Sequence, residues 1–183
     1  DPSYNQIGDF TKEFLSKLRE DDIFIFWPRS ILRLHRFDLV VAAFSQIKSE
    51  TPEIIERVKL IIWPGNARDE ECEKEIADAT TQNKLQNHII ITEHPYVTGN
   101  EILEIWKRCD LTLNILDNDN FSTQLIEAFY TKTPIIVSRI PAYTSVDERY
   151  DLRLDYVDNT IEAIKNSLIE FIRNYKYSDD AVL

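Results

Sequence analysis

Two acids eight residues apart, Asp119 and Glu127, bracket the first half of the segment "DNFSTQLIEAFYTKTPIIVS" (119–138). Glu127 falls among Leu125, Ile126, Ala128 and Phe129 in a helix-forming run. Burial there without a partner would be costly for a carboxylate. It is either a surface acid of an amphipathic helix or an acceptor for hydrogen bonds from something that binds there. Asp119 ends the preceding loop, a place that suits a ligand contact and an ordinary helix N-cap equally. Metal chemistry has little support: His35, His88 and His94 lack ligand spacing with Cys72 and Cys109, so neither a zinc site nor a disulfide framework is expected.

The elements that must hold these acids alternate. Residues 4–19 read as a leading helix with Phe10, Phe14, Leu15 and Leu18 on one stripe. Then come "DIFIFWP" as a strand, "RFDLVVAAFSQIKSE" as a helix, "VKLIIWPG" as a strand and "RDEECEKEIADATTQNKL" as a highly charged, solvated helix. "HIIITE", "DLTLNIL", "PIIVS" and a short "LDYVD" continue the strands. "NEILEIWKRC", "STQLIEAFYT" and "NTIEAIKNSLIEFIRNY" are the remaining helices, the last with Asn159 as its expected cap. Continuously apolar strands between helices predict a parallel sheet covered on both faces. The expected fold is therefore doubly wound α/β, Rossmann-like, with about six strands and right-handed crossovers. Residues 1–183 are expected to form one domain, with 1–20 as its leading helix.

Such a sheet binds ligands outside the carboxyl ends of its strands, near the point where strand order reverses. The informative residues should then be Pro28-Arg29, Pro64-Gly65-Asn66, His94-Pro95-Tyr96, Asp117 to Asn120, and Ser138-Arg139. With only Gly8, Gly65 and Gly99 there is no Gly-x-Gly-x-x-Gly run, which argues against a dinucleotide oxidoreductase. The net charge of −11 argues against nucleic acid or an anionic membrane as the main partner. It leaves room for a small anion at a local pair of basic residues. No apolar run reaches the length of a membrane span and no signal peptide opens the chain, so a cytoplasmic location is expected. The absence of methionine and the start at Asp1 point to a fragment of a longer enzyme, or to a sequence from which methionines have been lost.

From about Ile23 to Ile172 the chain resembles the C-terminal, donor-binding domain of retaining GT-B glycosyltransferases of the group 1, Glu-x7-Glu type. The 119–138 segment is similar to that family's Glu-Gly-Phe-Gly…Glu-Ala…Gly-Thr-Pro-Val-Val run, with Phe121, Leu125, Glu127, Ala128, Thr133 and Pro134 in register. "WPRSILRLHRFDLVVAAFSQI" resembles the family's Gly-Arg-Leu…Lys-x-x-Asp-Leu-Leu-x-Ala-Phe run, with Arg29 at the arginine, His35 or Arg36 at the lysine and Asp38 at the acid.

The resemblance implies a chain that binds a nucleotide-sugar donor, UDP-, GDP- or ADP-linked, without cofactor or metal. It implies an N-terminal acceptor domain outside these residues, and sugar transfer in cell-surface polysaccharide or glycoconjugate synthesis. Glu127 would accept from the ribose hydroxyls and Asp119 would contact the donor sugar. Amides around Phe121, Ser122 and Thr123, at a helix start, would face the phosphates. Arg29, with His35 or Arg36, would offset the diphosphate charge. Tyr96 lies where the family holds the base. Several positions depart from the pattern: Asp119 replaces Glu, Asn120 and Ser122 replace glycines, and Pro64 and Lys132 stand where the family has Gly. The spacing from Arg29 to Asp38 is one residue longer. A catalytically degenerate domain with a scaffolding role is the alternative. Asp117-Asn118-Asp119 imitates the metal-binding Asp-x-Asp of the GT-A fold, but the GT-B pattern that follows it argues against that use.

Overall fold

A computed structural model describes residues 15–16, 18–65, 67, 69–92 and 99–175. Most of the expected leading helix and the loop carrying His94, Pro95 and Tyr96 lie outside the described residues, as does Asn66.

Six parallel strands form one sheet: β1 (Ile23–Trp27), β2 (Val58–Ile62), β3 (Ile89–Ile91), β4 (Leu111–Asn114), β5 (Ile135–Ser138) and β6 (Asp155–Val157). Their order is β3-β2-β1-β4-β5-β6. The order reverses between β1 and β4, where Ile25 pairs with Leu111. Strand alternation divides the core in two. Ile23, Ile25 and Trp27 face one layer, with α1 (Phe37–Glu50), α2 (Pro52–Ile55), α3 (Glu70–Gln82) and α7 (Ile161–Asn174) over them. Phe24 and Phe26 face the other, under α4 (Gly99–Arg108), α5 (Thr123–Thr131) and α6 (Pro141–Tyr150). Both faces being covered is why the strands read as unbroken apolar runs. The doubly wound, Rossmann-like expectation holds.

Three elements depart from the sequence expectation. The short α2, a 3₁₀ turn at Arg33–His35 and the whole of α6 carry no strong apolar period. In α6 Pro141 supplies a pre-set first turn and Tyr143 alone is fully buried. A fourth departure is at the start of α7. Thr160, not Asn159, caps it, its Oγ1 accepting from Ala163 N at 3.2 Å. Asn159 is committed elsewhere: its amide donates to Leu116 O at 2.9 Å and its Oδ1 accepts from Ser138 Oγ at 2.5 Å. Ser138 Oγ in turn accepts from Leu116 N at 2.8 Å. The exits of β4, β5 and β6 are thereby tied together, which fixes where the loop after β4 begins.

Candidate active site

The loop after β1 is set by its last strand residue. Trp27 stacks on Phe37 at 4.0 Å between ring centroids, which holds the start of α1 close to the sheet. Gly65, after β2, lies against this loop: a Cβ there would come within 2.5 Å of Ser30 Oγ. Only a glycine lets the two loops meet without displacing that side chain. From this turn Arg29 reaches across the strand-order reversal and pairs its guanidinium with Asp119 Oδ2, in the loop after β4. The two side chains are 17% and 21% exposed, so solvent screens the pair little.

Asp119 does not cap α5. Its Oδ1 accepts from Asn120 N at 2.8 Å, and Oδ2 accepts from Tyr143 OH at 2.8 Å as well as from Arg29. Tyr143 OH accepts from Asn114 Nδ2 at 2.7 Å. The cap of α5 is Ser122, whose Oγ accepts from Gln124 N at 3.1 Å and whose carbonyl accepts from Leu125 N. Ser122 is buried, while Thr123 and Phe121 beside it are exposed. Gln124 anchors the helix start to β4 by donating from Nε2 to Thr112 Oγ1 and Leu113 O, both at 2.7 Å.

The two basic residues left open by the sequence part company. His35 is buried, its Nδ1 donating to Ser30 O at 2.6 Å. Burial lowers its pKa below the usual 6.5, with the bond to Ser30 opposing and the Arg29 charge lowering it further. Its ring therefore stays neutral at neutral pH. Arg36 turns to two acids instead: Asp38 at 3.0 Å and Asp117 at 3.1 Å, which keep its guanidinium firmly charged. Its backbone sits at φ 33°, ψ 39°, a left-handed conformation that costs a non-glycine residue about 1 kcal/mol. Asp117 and Asp119 thus take separate arginines. Among the described residues no group of three or more His, Cys, Asp or Glu could hold a metal ion.

Glu127 lies apart from this cluster. It lines a cleft of about 330 Å³ between α4 and α5, with Gly99, Ile102, Leu103 and Trp106. Burial raises its carboxyl above the usual 4.5, and the nearby Trp106 indole draws it partly back. The indole N–H approaches without the geometry of a full hydrogen bond. Tyr96 lies outside the described residues. Two participants were not expected from the sequence: Tyr143, on the unrecognised α6, and Asn114, fully buried at the end of β4. The one visible signal was a polar Asn closing the apolar run "LTLN".

The sequence profile for glycosyl transferases group 1 matches residues 9–182. The chain belongs to this family. Comparison with curated protein sequences gives no significant match. Among solved structures, this group 1 chain is similar to Anabaena HepE in complex with UDP and glucose, at 13% identity and TM-score 0.71 over 95% of this chain and 44% of that one. It is also similar to an α,α-trehalose-phosphate synthase (UDP-forming) from Burkholderia xenovorans in complex with glucose-6-phosphate, at 8% identity and TM-score 0.75 over 91% and 40%. A glycosyltransferase from Rickettsia africae gives 16% identity and TM-score 0.73 over 94% and 44%. At such identities the likeness concerns the fold. The chain spans less than half the length of these proteins. No helix among the described residues is long and apolar enough to cross a membrane.

Proposed function

We propose that this chain is the donor-binding half of a glycosyltransferase that moves a sugar from a nucleoside diphosphate to an acceptor held by a second, N-terminal domain. The carrying observation is the Arg29–Asp119 pair, which joins the loops after β1 and β4 at the strand-order reversal of a group 1 family chain. Sheets of this kind bind ligands in that crevice. Arg29 exchanges its carboxylate partner for the diphosphate and offsets the charge that grows as the sugar leaves. Asp119, released by Arg29, then offers its carboxylate to the sugar hydroxyls. The amides of Ser122 and Thr123, at the positive end of α5, support the phosphates. Phe121 flanks them from the solvent side.

Glu127 accepts from the ribose hydroxyls, and the loop carrying Tyr96 bounds the base. For the second basic role the geometry favours His35, which feels the charges of both Arg29 and Asp119, over Arg36, which two acids already engage. With Nδ1–H held by Ser30 O, the neutral ring offers only an acceptor at Nε2, and it donates to the diphosphate once the phosphate charge raises its pKa and Nε2 is protonated. The proposal extends to a cytoplasmic role in cell-surface polysaccharide or glycoconjugate synthesis. The unpaired thiols Cys72 and Cys109 are consistent with a reducing compartment.

Titrating the chain with nucleoside diphosphates in excess EDTA tests the assignment. UDP, named in the HepE complex, is the first to try, then GDP and ADP. Affinity should survive EDTA and fall at least tenfold in Arg29→Ala, since hydrogen bonds to charged groups contribute about 1.5–3 kcal/mol. A strict need for Mn²⁺ or Mg²⁺, abolished by Asp117→Ala, would move the chemistry to a metal and void the role of Arg29. An intact fold that binds no nucleotide would favour the degenerate, scaffolding alternative.

A further inference from the structure

Asn114 is an anomaly in the core. It is fully buried at the end of β4, in the layer formed by Phe26, Leu125 and Val137. Its Oδ1 is buried without a partner among the described residues, and its amide has one, the Tyr143 hydroxyl. A buried amide half-satisfied in this way is a net cost to the fold compared with an apolar residue of similar shape. Something other than stability must account for it.

The hydrogen-bond polarity supplies the account. A phenol has one proton to give. Because Asn114 Nδ2 can only donate, the Tyr143 oxygen must accept from it, and the phenolic proton is left to point the other way. It points at Asp119 Oδ2, 2.8 Å away. Burial, with the Asp119 charge beside it, raises the Tyr143 pKa, so the proton stays in place across the physiological range. Asp119 therefore has two side-chain partners on one oxygen: Arg29, from a loop, and Tyr143, fully buried on a helix and backed by a strand.

We propose that Tyr143, oriented by Asn114, is a positioning residue that holds the Asp119 carboxylate in place when Arg29 turns from it to the donor diphosphate. The inference rests on the donor-binding reading of Arg29 and Asp119. Without Tyr143, the departure of Arg29 would leave the carboxylate only the Asn120 N–H on Oδ1, a bond within its own loop, and Oδ2 unheld at the step where it must meet the sugar. With Tyr143 in place it keeps one rotamer throughout.

Two measurements on Tyr143→Phe test this. The first needs no nucleotide: the Hα–Hβ couplings of Asp119 by NMR in the free chain, with and without Arg29→Ala. The Arg29→Ala chain should keep a single Asp119 rotamer, and the double variant Arg29→Ala/Tyr143→Phe should show averaged couplings. A single rotamer surviving in that double variant would overturn the proposal, whether or not any nucleotide binds. The second is the affinity for UDP-glucose relative to UDP. Tyr143→Phe should lose about tenfold on UDP-glucose, with UDP changed less than about threefold. An equal loss on both would reduce Tyr143 to a structural role. Tyr143→Phe leaves the Asn114 amide unpaired and risks the fold, so Asn114→Leu/Tyr143→Phe serves as the second variant. It should melt no lower than the parent and show the same selective loss on UDP-glucose; wild-type discrimination in it would also overturn the proposal.

Discussion

Glu127 lies half-buried between α4 and α5, and burial holds its carboxyl above the usual 4.5 despite the nearby Trp106 indole. A carboxyl with a higher pKa in the folded chain than in the unfolded one takes up a proton on folding. Its charge therefore costs stability above the folded pKa, and that cost vanishes below the unfolded value near 4.5. Glutamine has the same shape, keeps the packing against Ile102, Leu103 and Trp106, and carries no charge at any pH. Glu127→Gln should accordingly stabilise the fold at pH 7. Substitutions that relieve a functional site contribute about 0.5–2 kcal/mol, and each kcal/mol moves the Tm of a chain this size by about 2–4 °C. A rise of about 1–8 °C at pH 7, shrinking to nothing below about pH 4, is expected by scanning calorimetry.

Nucleotide affinity should move the other way. A charged acceptor gains about 1.5–3 kcal/mol from each hydroxyl, a neutral one about 0.5–1.5. Losing the charge on the ribose contacts should cost about 1–3 kcal/mol, or about 5- to 160-fold in Kd. A variant that binds as tightly as the parent would refute the ribose role. A variant that melts no higher at pH 7, or whose gain persists at pH 4, would refute the burial argument.

Ser138→Ala strips the buried Leu116 N–H of its partner and releases Asn159, so it should cost about 1–3 kcal/mol in urea denaturation; an unchanged midpoint would show that the tie between β4, β5 and β6 contributes nothing. Thr160→Ala should cost about 1 kcal/mol through the lost cap of α7. The loss should be equal in a Ser138→Ala background, because the cap and the tie share no partner; a smaller loss there would mean that the two are coupled.

The strands were readable because burial on both faces writes them as apolar runs, as in "IFIFW" and "VKLII". Helix α6 was not readable, since "PAYTSVDERY" buries only Tyr143 fully and leaves no stripe. Arg29 and Asp119 stood out as residues following strands. Their pairing did not, because it joins positions 90 residues apart through the packing of two crossovers. The same limit hid Tyr143, whose contact with Asp119 spans 24 residues and a helix that periodicity does not reveal. His35 and Arg36 were equivalent as letters at a helix start. The left-handed turn at Arg36 separates them, sending one side chain to Ser30 under the loop and the other out to Asp38 and Asp117.

The most direct test of the central claim is isothermal titration of the 183-residue chain with UDP, GDP and ADP in EDTA. Donor binding at the crevice between the loops after β1 and β4 predicts that one of the three binds with a Kd below about 1 mM, or about −4 kcal/mol. It also predicts that Arg29→Ala and Glu127→Gln each weaken that binding while the chain stays folded. No heat from any of the three with a folded chain, or binding indifferent to both substitutions, would contradict it.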